Sequence, residues 1–551
     1  MPECSYIYDD LQMILNGKLI KILLVQINNI WYYNATLYIK GSGFLFSRVS
    51  SAAICGIQSR IISIEADVSN GLPGFSMVGY LASEVREAQD RVRTALRNSG
   101  FALSPKKVTV SLAPADMRKA GSGFDLPIAV AVLTAYGVIP QELVKDTLFA
   151  GELGLDGSIR GINGILGMVL EAKRAGVHAC VIPEENIREG AVVGGIEVYG
   201  ASQLREVTDH FISGRTLKKV HINIEETASD TGKKKEHDFA DIHGQETVKR
   251  AAEIAAAGMH NLLISGPPGA GKSMIARRIP SILPPLSLEE SLEISQIHSV
   301  AGILPKEGIL TERPFRMPHH TITSAALTGG GNVPKPGEIS LAHRGVLYLD
   351  ELPEFQRETL EILRQPLEEG EVWISRNSGQ YIFPADFMLV ASRNPCKCGY
   401  YPDRRRCRCS EGEVRRYLHR ISRPLLDRID LHVEAQQIHY GELAAHGGSR
   451  SSAEIRANVL RAHEIQLKRY AGTDFKFNSQ LTSASLERYC PLGAAEEARM
   501  KIIYEQKNLT ARAYHRMLKV ARTIADLDGS EKIELRHLNE AVFYRPSELL
   551  M

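Results

Sequence analysis

The sequence predicts an α/β protein built from several domains. Three observations lead to this fold class: short β-rich runs alternate with helical runs from about residue 46, a glycine-rich turn separates an apolar run from a helix at residue 266, and strand-like runs stop near residue 434. A chain of 551 residues is also too long for one ordinary hydrophobic core, so roughly two to four domains are expected.

Composition and charge limit the kind of partner that the chain takes. The sequence holds 66 basic and 64 acidic residues, a formal net charge of +2, so any contact with nucleic acid must come from local basic patches. Four scattered cysteines lie in apolar or helical contexts, which is typical of buried thiols in a reducing compartment: Cys4, Cys55, Cys180 and Cys490. We therefore expect a cytoplasmic protein.

An apolar run at residues 18–33 is too short and too polar to cross a membrane. It contains asparagine and glutamine, and it falls short of the roughly 18 apolar residues of a spanning helix. It also lacks a small-residue cleavage site. We expect no transmembrane helix, no signal peptide and no membrane partner.

Five segments follow from the pattern along the chain. Residues 1–46 match no pattern and form an uncertain N-terminal extension, to which no function is assigned. Residues 47–214 alternate strands such as "RIISIEADVS" with helices, which predicts a first α/β domain. Residues 215–240 are polar and charge-rich, as linkers are. Residues 241–435 form a second α/β domain, and residues 436–551 become amphipathic helices such as "ARAYHRMLKVARTIADL".

A phosphate-binding loop stands near the start of the second domain, in "LLISGPPGAGKSMIARRI". A short apolar strand, a glycine-rich turn and a helix follow one another there, as a P-loop requires. Backbone N–H groups and the helix N-terminus hold phosphate oxygens in such a loop, Lys272 adds a charge at the β/γ-phosphates, and the Ser273 hydroxyl binds Mg²⁺. The predicted ATP-binding residues are Gly266, Pro267, Pro268, Gly269, Ala270, Gly271, Lys272 and Ser273.

Acidic and amide side chains end two further apolar runs. The run "GVLYLDELPEF" is interrupted by Asp350 and Glu351, which suits Asp350 for Mg²⁺ and Glu351 for polarising the attacking water. The run "FMLVASRN" ends in Asn394, which is placed to orient that water from the adjacent strand. These residues predict hydrolysis of the bound nucleotide.

Arg428, in "RPLLDRIDLHVE", has two interpretations. An arginine in a short helical context before a strand, at a subunit edge, can reach the γ-phosphate of a neighbouring subunit's nucleotide as an arginine finger. The alternative is a local salt bridge to Asp427 or Asp430. The motif alone leaves both open.

Together these motifs resemble the magnesium-chelatase-like family of AAA+ ATPases. The resemblance rests on the phosphate loop, on "RPFRMPHHTITSAALTGGGNVPKPGEISLAHRGVLYLDELPEF", on "NPCKCG" and on "LLDRIDL", and it covers roughly residues 46–545. Within the family the chain is similar to the YifB/ComM branch, whose competence member is a hexameric DNA helicase that drives branch migration. The resemblance implies a homo-hexameric AAA+ ATPase core with a C-terminal α-helical lid, ATP and Mg²⁺ as cofactors, and DNA, single-stranded or branched, as a partner bound without regard to sequence.

The resemblance implies residue roles that match those argued from the chain itself. It places Walker A at residues 266–273, Walker B at Asp350 and Glu351, sensor 1 at Asn394 and the trans-acting finger at Arg428. The chain reads "ASRNPC" where many relatives have Ala-Met or a similar pair before the asparagine, but the asparagine itself is present. The resemblance adds the sensor 2 arginine Arg512 in "TARAYHRML", with Arg516 one turn later as its rival. The predicted catalytic set is Lys272, Glu351, Asn394, Arg428 and Arg512.

The first α/β domain resembles the Lon-protease-like (ribosomal S5 domain 2-like) fold that the family carries at its N-terminus. A Ser-Lys peptidase dyad needs a serine in "RKAGSGFDLPIA" and a lysine near the start of "GILGMVLEAKRAG". Ser122 is displaced, Phe124 stands at about the nucleophile position, and Lys173 lies about two turns too late. We expect no protease activity, and a domain reused for oligomerisation or DNA contact.

Four cysteines form two C-x-C pairs in an insertion at residues 396–409, which follows the sensor strand. One tetrahedral Zn²⁺ held by four thiolates would fold this polar insertion, although C-x-C is less usual for zinc than C-x₂-C. Free thiols and a redox disulfide are the other two interpretations. The candidate zinc ligands are Cys396, Cys398, Cys407 and Cys409.

Basic residues in three places are candidate phosphate contacts. A run of arginines in and after the insertion is opposed by few acids, and such a run is either a solvated face or a DNA-binding patch. Two further insertions carry Lys335, in "TGGGNVPKPGEIS", and Arg376, in "EVWISRNSGQYIFPA". The first hypothesis is a ring motor that acts on DNA. The alternative is a chelatase-type AAA+ ATPase that remodels a protein partner without moving along DNA.

Overall fold

The computed structural model describes the backbone of residues 7–15, 18–27 and 30–36, and the full residues 46–220, 222, 238–331, 333–376, 379–437 and 450–545. The chain divides into two compact units. The first comprises residues 1–54 and 59–221, and the second comprises residues 55–58 and 222–551.

Three strands at the N-terminus form an antiparallel meander. They are β1 (Ile7–Leu15), β2 (Lys18–Ile27) and β3 (Ile30–Thr36), paired in the order β1-β2-β3. The extension for which the sequence suggested no structure is therefore β-rich in its backbone.

The first unit is built on an eight-stranded mixed sheet. Its strands are β4 (Phe46–Cys55), β5 (Gln58–Ser69), β6 (Gly74–Val78), β7 (Lys107–Ala113), β8 (Thr147–Phe149), β11 (Ala179–Pro183), β12 (Glu197–Ala201) and β13 (Lys218–Lys219). The short pair β9 (Glu152–Leu153) and β10 (Ile159–Arg160) lies outside it. The strand order is β13-β12-β11-β8-β4-β5-β7-β6.

Hydrophobic periodicity explains which faces of this unit are buried. Along β5 the side chains of Ile62, Ile64, Ala66 and Val68 are buried and their neighbours are more exposed, as a strand with one core-facing side requires. The helix Asp125–Ala135 is buried on all sides, which matches its continuous apolar sequence. The helices of the unit are Ser83–Arg86, Ala88–Asn98, Asp125–Ala135, Gln141–Val144, Ile165–Arg174, Ile187–Ala191 and Leu204–Ser213, with a 3₁₀ turn at Glu184–Asn186.

The second unit contains a five-stranded parallel sheet. Its strands are β14 (Leu262–Ser265), β15 (Phe315–Arg316), β18 (Val346–Leu349), β21 (Met388–Arg393) and β22 (Leu431–Glu434), in the order β15-β18-β21-β14-β22. All four pairings are parallel, with Leu262 opposite both Val390 and Leu431. The carboxyl ends of the strands therefore meet at one edge of the sheet, where ligands bind in open α/β sheets.

Two small antiparallel hairpins are inserted into this unit. One pairs β16 (Gly329–Gly330) with β17 (Lys335–Pro336), and the other pairs β19 (Glu371–Arg376) with β20 (Gly379–Pro384). They correspond to the two insertions that the sequence marks with Lys335 and Arg376.

The helices of the second unit surround the sheet and continue to the C-terminus. Those up to the end of the sheet are Glu246–Gly258, Lys272–Ile282, Leu288–Ala301, Ser324–Thr328, Glu338–Leu341, Arg357–Ile362, Pro366–Glu369, Glu411–Leu418 and Arg423–Leu426, with 3₁₀ turns at Phe239–Asp241 and Leu352–Glu354. After β22 come Ser452–Arg469, Ser483–Tyr489, Ala494–Gln506, Ala511–Leu527 and Leu535–Phe543, with a 3₁₀ turn at Asn478–Gln480.

One hydrophobic core joins the C-terminal helices to the parallel sheet. It includes Leu262 and Val433 from the sheet together with Val459, Met517 and Ile524 from the helices, all buried. Burial of apolar side chains stabilises by about 25 cal/mol per Å². The C-terminal helices are therefore part of the second unit and not a separately packed body.

The predicted linker at residues 215–240 is only partly a connection. Lys218 and Lys219 extend the sheet of the first unit by pairing with Gly200 and Tyr199, and the turn Phe239–Asp241 belongs to the second unit. Most of the residues between them lie outside the described part of the chain. Charge-rich composition alone did not reveal the short edge strand β13.

Candidate nucleotide site

The glycine-rich loop joins β14 to the helix Lys272–Ile282, at the edge where the parallel strands end. Gly271 takes a left-handed φ of 81°, and the space around the position of a Cβ there is open to 4 Å. Gly266 is needed for a different reason, since a Cβ at this residue would lie 2.5 Å from the carbonyl oxygen of Ala435. At Gly266 the loop therefore packs tightly against the residue after β22. At Gly271 it leaves open space next to the helix N-terminus, where an anion can bind.

Lys272 is buried at the centre of the loop. Its ammonium donates to the carbonyl oxygens of Gly266 and Pro267 at 2.8 and 2.9 Å and to Oδ1 of Asn394 at 3.0 Å. Burial lowers the pKa of Lys272, and the carboxylates of Asp350 and Glu351 oppose that shift. The predicted P-loop lysine and the predicted sensor asparagine are thus in direct contact.

Ser273 and Asp350 form the second half of the site. The Ser273 hydroxyl donates to Oδ2 of Asp350 at 2.9 Å, and Tyr348 donates its hydroxyl to Ser273 at 3.3 Å. Ser392 hydrogen-bonds Oδ1 of Asp350. Burial raises the pKa of Asp350, but the hydrogen bonds from Ser392, Tyr348 and Ser273 outweigh it, so the pKa lies below its ordinary value and the group is ionised at neutral pH.

Glu351 follows Asp350 in a left-handed backbone conformation, with φ 52° and ψ 51°. Its backbone N–H donates hydrogen bonds to Oδ1 of Asp350 and to Oγ of Ser392, each at 3.1 Å. The side chain is exposed to solvent. These bonds fix the backbone of Glu351 at the strand end, next to the half-buried pair formed by Ser273 and Asp350.

The residues of this site fit a magnesium nucleotide. Mg²⁺ prefers hard oxygen ligands and is bound in nucleotide sites by a hydroxyl and a carboxylate together with phosphate oxygens. Ser273 and Asp350 supply that pair within 2.9 Å of each other. The loop and the N-terminus of an eleven-residue helix supply N–H donors for phosphate.

Two polar residues of the site escaped sequence reasoning. Ser392 and Tyr348 lie inside strands β21 and β18, and both are buried. Their contacts with Asp350 depend on the register that places Tyr348 opposite Val390 in neighbouring strands. A polar residue in an otherwise apolar strand, in "FMLVASRN", was the available signal.

Arg393, the residue before Asn394, has a buried side chain. Its Nε donates to Oγ of Ser265 at 2.9 Å, at the last residue before the phosphate loop. Burial lowers the pKa of Arg393 to about 10, with Glu434 and Tyr417 opposing the shift. Arg393 thus contacts the residue that precedes the phosphate loop, and Asn394 still reaches Lys272.

Arg428 is almost fully buried, and its partner differs from those weighed in the sequence. Its side chain is 4% exposed and forms an ion pair with Glu368, while its Nη1 donates to the carbonyl of Pro424 at 2.6 Å. Glu368 also pairs with Arg512 through its other carboxylate oxygen. Burial raises the pKa of Glu368, but the arginines outweigh it and the pKa is lowered. One carboxylate therefore brings together the predicted finger and the predicted sensor 2 arginine.

Arg516, the rival of Arg512, has a separate partner. Its Nη1 donates to Oδ1 of Asp430 at 3.1 Å, while Oδ2 of Asp430 accepts from the backbone of Asn261 at 3.1 Å and lies 3.4 Å from Nδ1 of His260. Burial raises the pKa of Asp430, but the opposing effects of Arg516 and His260 are larger, so this pKa lies below its ordinary value. Arg512 is 49% exposed and Arg516 is 15% exposed, so Arg512 is the more accessible of the two.

A polar cavity of about 750 Å³ lies beside these arginines. Glu368 lines it together with one face of the helix Ala511–Leu527, which contributes Arg512, His515, Arg516 and Lys519. Residues three and four apart share a helix face, which explains why these four side chains line one space. Acidic side chains line the cavity as well: Glu293, Glu368, Glu369, Glu371, Asp386 and Asp430.

The four cysteines of the insertion converge. Their sulfur atoms all lie within 4.8 Å of one another, and Cys396, Cys398 and Cys407 are separated by 3.3, 3.6 and 3.7 Å. Four thiolates on one tetrahedral Zn²⁺ at about 2.3 Å place their sulfurs about 3.8 Å apart. The geometry therefore fits a Cys₄ metal site, and all four are free cysteines without a disulfide.

The two inserted hairpins meet at their tips. Nε of Arg376 lies 3.5 Å from the carbonyl oxygen of Gly331, and a Cβ at Gly330 would lie 3.1 Å from the Arg376 guanidinium. Lys335 is exposed on the first hairpin. Trp373, which the sequence analysis did not single out, is 46% exposed on the second. Cations and an aromatic ring thus share one region of the surface.

In the first unit, Ser122 has an acid for a partner. Its hydroxyl hydrogen-bonds the carboxylate of Glu152, Phe124 is buried, and the Lys173 ammonium donates to the carbonyl of Gly194 at 2.7 Å. No described hydrogen bond joins Ser122 to a lysine. The absence of peptidase activity stays a prediction.

Comparisons with known proteins cover most of the chain. Residues 238–443 match the family described as magnesium chelatase, subunit ChlI, residues 64–186 match subunit ChlI of Mg-chelatase, and residues 449–545 match the C-terminal family of that subunit. Across the described residues, no helix is long and apolar enough to span a membrane.

Three relatives illustrate the range of similarity. Competence protein ComM of Haemophilus influenzae is 43% identical over 498 residues, 90% of this chain and 97% of that protein. Uncharacterized protein YifB of Salmonella typhimurium is 41% identical over 504 residues, 91% of this chain and 97% of that protein. The magnesium-chelatase 38 kDa subunit of Cereibacter sphaeroides is 27% identical over 275 residues, 46% of this chain and 72% of that protein.

Proposed function

Because the chain belongs to the magnesium-chelatase-like family that includes ComM and YifB, we propose that it is an ATP-hydrolysing AAA+ motor that acts on DNA as a homo-hexamer in the cytoplasm. The observation that carries the ATPase is the meeting of Lys272, Asn394, Ser273 and Asp350 at the carboxyl edge of one parallel sheet. The similarity to a competence protein supports a role in the handling of DNA.

Different residues of the site bind the phosphates, bind Mg²⁺ and activate the attacking water in this proposal. The backbone of the loop and Lys272 bind the phosphates, and Ser273 with Asp350 holds Mg²⁺, which when bound neutralises charge on the phosphates. Glu351 takes the proton of the attacking water, and Asn394 orients that water. Two hydrogen bonds fix the backbone of Glu351 next to Asp350, which supports this role.

Arg428 acts on the nucleotide of a neighbouring subunit in this proposal, and Arg512 is the sensor 2 arginine of the helical lid. Two guanidinium groups share one carboxylate, so the group formed by Arg428, Arg512 and Glu368 keeps a net charge of +1. A γ-phosphate that approaches the group exchanges places with Glu368 at one or both arginines. The cavity beside Arg512 provides room for that phosphate.

DNA is held by backbone phosphates in this proposal, through Lys335, Arg376 and the exposed arginines of the insertion. A chain with a net charge of only +2 depends on such local cations. Phosphate contacts are independent of sequence and weaken as salt rises. The contact between Arg376 and Gly331 supports a joint role for the two hairpins.

The remaining architecture follows from the same resemblance. We propose that the first unit is a Lon-protease-like domain without peptidase activity, which contributes to assembly or DNA contact. The helices after β22 are proposed to be the lid that closes over the nucleotide. The core that they share with the sheet supports this, because it joins these helices to the unit that carries the nucleotide site.

The test is ATPase rate against DNA concentration, with single-stranded, forked and four-way DNA. Lys335→Ala and Arg376→Ala should lower DNA affinity and DNA stimulation and leave basal hydrolysis unchanged. Lys306→Ala removes an exposed lysine elsewhere in the same unit and is the matched control. Each lost phosphate contact should flatten the log–log salt slope by about one per subunit. Hydrolysis that ignores every DNA would instead favour remodelling of a protein partner.

We also propose that the insertion binds one zinc ion per chain through Cys396, Cys398, Cys407 and Cys409. The support is that the four sulfur atoms all lie within 4.8 Å of one another. Zinc supplies no chemistry to hydrolysis here and serves to fold the insertion. Metal analysis of protein purified without chelator should find one zinc per chain, and wild-type protein without zinc contradicts the assignment.

A further inference from the structure

The cysteine insertion packs directly against the phosphate loop. A Cβ at Gly399 would lie 2.4 Å from Cδ and 2.6 Å from Cγ of Pro268. Cβ atoms essentially never approach other atoms below 3.0 Å, so only a glycine at this position lets the backbone of the insertion touch the ring of Pro268. Pro268 is one of the loop residues that surround the phosphates.

The same turn is fixed by a cysteine. Gly399 has a left-handed φ of 86°, and its N–H donates to the carbonyl of Cys396 at 3.0 Å. The N–H of Tyr401 donates to the Cys396 sulfur at 3.4 Å. The residue that contacts the phosphate loop thus belongs to the turn that wraps around one candidate metal ligand.

A second contact ties the insertion to the loop two residues before that ligand. Asn394 accepts from the Lys272 ammonium at 3.0 Å, and Cys396 follows it after one proline. Between residues 394 and 399 the chain therefore meets the phosphate loop twice, at its lysine and at its second proline.

The insertion has few fully buried apolar side chains among its described residues. Its own hydrophobic cluster has three buried members, Cys396, Cys407 and Val414, and two of those are cysteines. Four exposed arginines follow one another closely around it, at positions 404, 405, 406 and 408. So small a core does not order a chain of this charge, and a metal ion bound by four thiolates does.

We propose that the metal-bound turn formed by Cys396, Cys398, Cys407 and Cys409 positions the phosphate loop through Gly399 and Asn394, so that loss of the metal weakens nucleotide binding. This inference rests on the proposed nucleotide and zinc sites. The cysteines are positioning residues here, because they act on the nucleotide through Pro268 and Lys272 and do not touch it. A hydrogen bond to a charged group changes affinity by about tenfold or more, and misplacing the loop affects several such bonds.

The experiment measures two quantities on the full chain: zinc content, and the dissociation constant of a fluorescent ATP analogue. The double substitution Cys396→Ser with Cys407→Ser should lose the zinc and at least about tenfold in nucleotide affinity. Gly399→Ala keeps all four thiolates but presses a methyl group against Pro268, so it should keep the zinc and still lose affinity. Gly412→Ala is the matched control, since the space around its Cβ position is open to 4 Å.

The outcomes separate the inference from its premises. Zinc lost with nucleotide affinity unchanged, or affinity unchanged in Gly399→Ala, overturns the positioning role and leaves both sites standing. Wild-type protein that binds nucleotide but no zinc overturns the zinc assignment together with this inference. Nucleotide binding that Lys272→Ala does not weaken refutes the proposed nucleotide site. Gly399→Ala keeps the test decisive if the cysteine variant fails to fold.

Discussion

Replacing Glu351 by glutamine should separate nucleotide binding from hydrolysis. The side chain is exposed, and the two hydrogen bonds that fix this residue come from its backbone N–H, so both survive the substitution. Exposed substitutions of this kind change the free energy of unfolding by about 0.5 kcal/mol or less. Lys272, Ser273 and Asp350 are untouched, so Mg²⁺·ATP should bind with nearly wild-type affinity.

Hydrolysis should fall much further than binding. A positioned general base contributes about 10² to 10⁴ in rate, which corresponds to roughly 3 to 5 kcal/mol of the activation free energy. The assay is single-turnover ATP hydrolysis beside titration with a fluorescent ATP analogue. Lys272→Ala is the comparison that should lose binding, and Glu354→Gln controls for a nearby acid that pairs with Arg420 at 3.1 Å. If Glu351→Gln hydrolyses ATP within about threefold of wild type, the role of Glu351 is refuted, because a general base contributes about 10² or more.

Three further predictions address other parts of the chain. Mixing Arg428→Ala subunits with Lys272→Ala subunits should restore ATPase activity, since each supplies what the other lacks, and no recovery at any mixing ratio contradicts a finger that acts across a boundary. Casein or a fluorogenic peptide should not be cleaved, and cleavage abolished by Ser122→Ala would overturn this. Burial lowers the pKa of His463 to about 4 from 6.5, so its neutral form stabilises the fold above pH 6.5 and that stability is lost as pH falls towards 4. Urea unfolding at pH 7.5 and 5.0 should therefore show a smaller acid loss for His463→Gln than for wild type, and an equal loss counts against His463.

The convergence of the candidate nucleotide-site residues was predictable because they are anchored to strand ends. A glycine-rich turn after one apolar run, acids after a second and an amide after a third must meet at one edge once the strands are parallel. Lys272, Asp350 and Asn394 are brought together for this reason. Strand ends do not predict the roles of Ser392 and Tyr348, because both lie within strands and their contacts with Asp350 depend on how the strands are paired.

The arginine contacts were not predictable, because their partners are distant in the sequence. For Arg428 the sequence suggested the neighbouring acids Asp427 and Asp430, whereas the structure pairs it with Glu368, 60 positions earlier. Asp430 instead accepts from Arg516, 86 positions later. A single sequence contains no information on such pairs, since any of its many acids satisfies the charge.

The convergence of the cysteines lies between these two cases. Two C-x-C pairs predict a cysteine cluster, but their spacing does not show whether the four sulfur atoms lie close together. Their approach within 4.8 Å is a property of the fold of the insertion. The contact of Gly399 with Pro268 had no signal at all, because a glycine among turn residues has many ordinary explanations.

The left-handed backbone of Glu351 lowers the stability of the fold, whereas the proposed activity needs the side chain of this residue. A residue with a side chain at φ 52° and ψ 51° carries a conformational penalty of roughly 1 kcal/mol that glycine escapes and asparagine partly escapes. Changing Glu351 to either residue should therefore raise the melting temperature of the second unit while removing the carboxylate. A laboratory screen for heat-resistant variants of this chain would be expected to enrich inactive proteins at this one position. In the proposed function the carboxylate of Glu351 is required for hydrolysis, and that requirement opposes the conformational preference for a smaller residue.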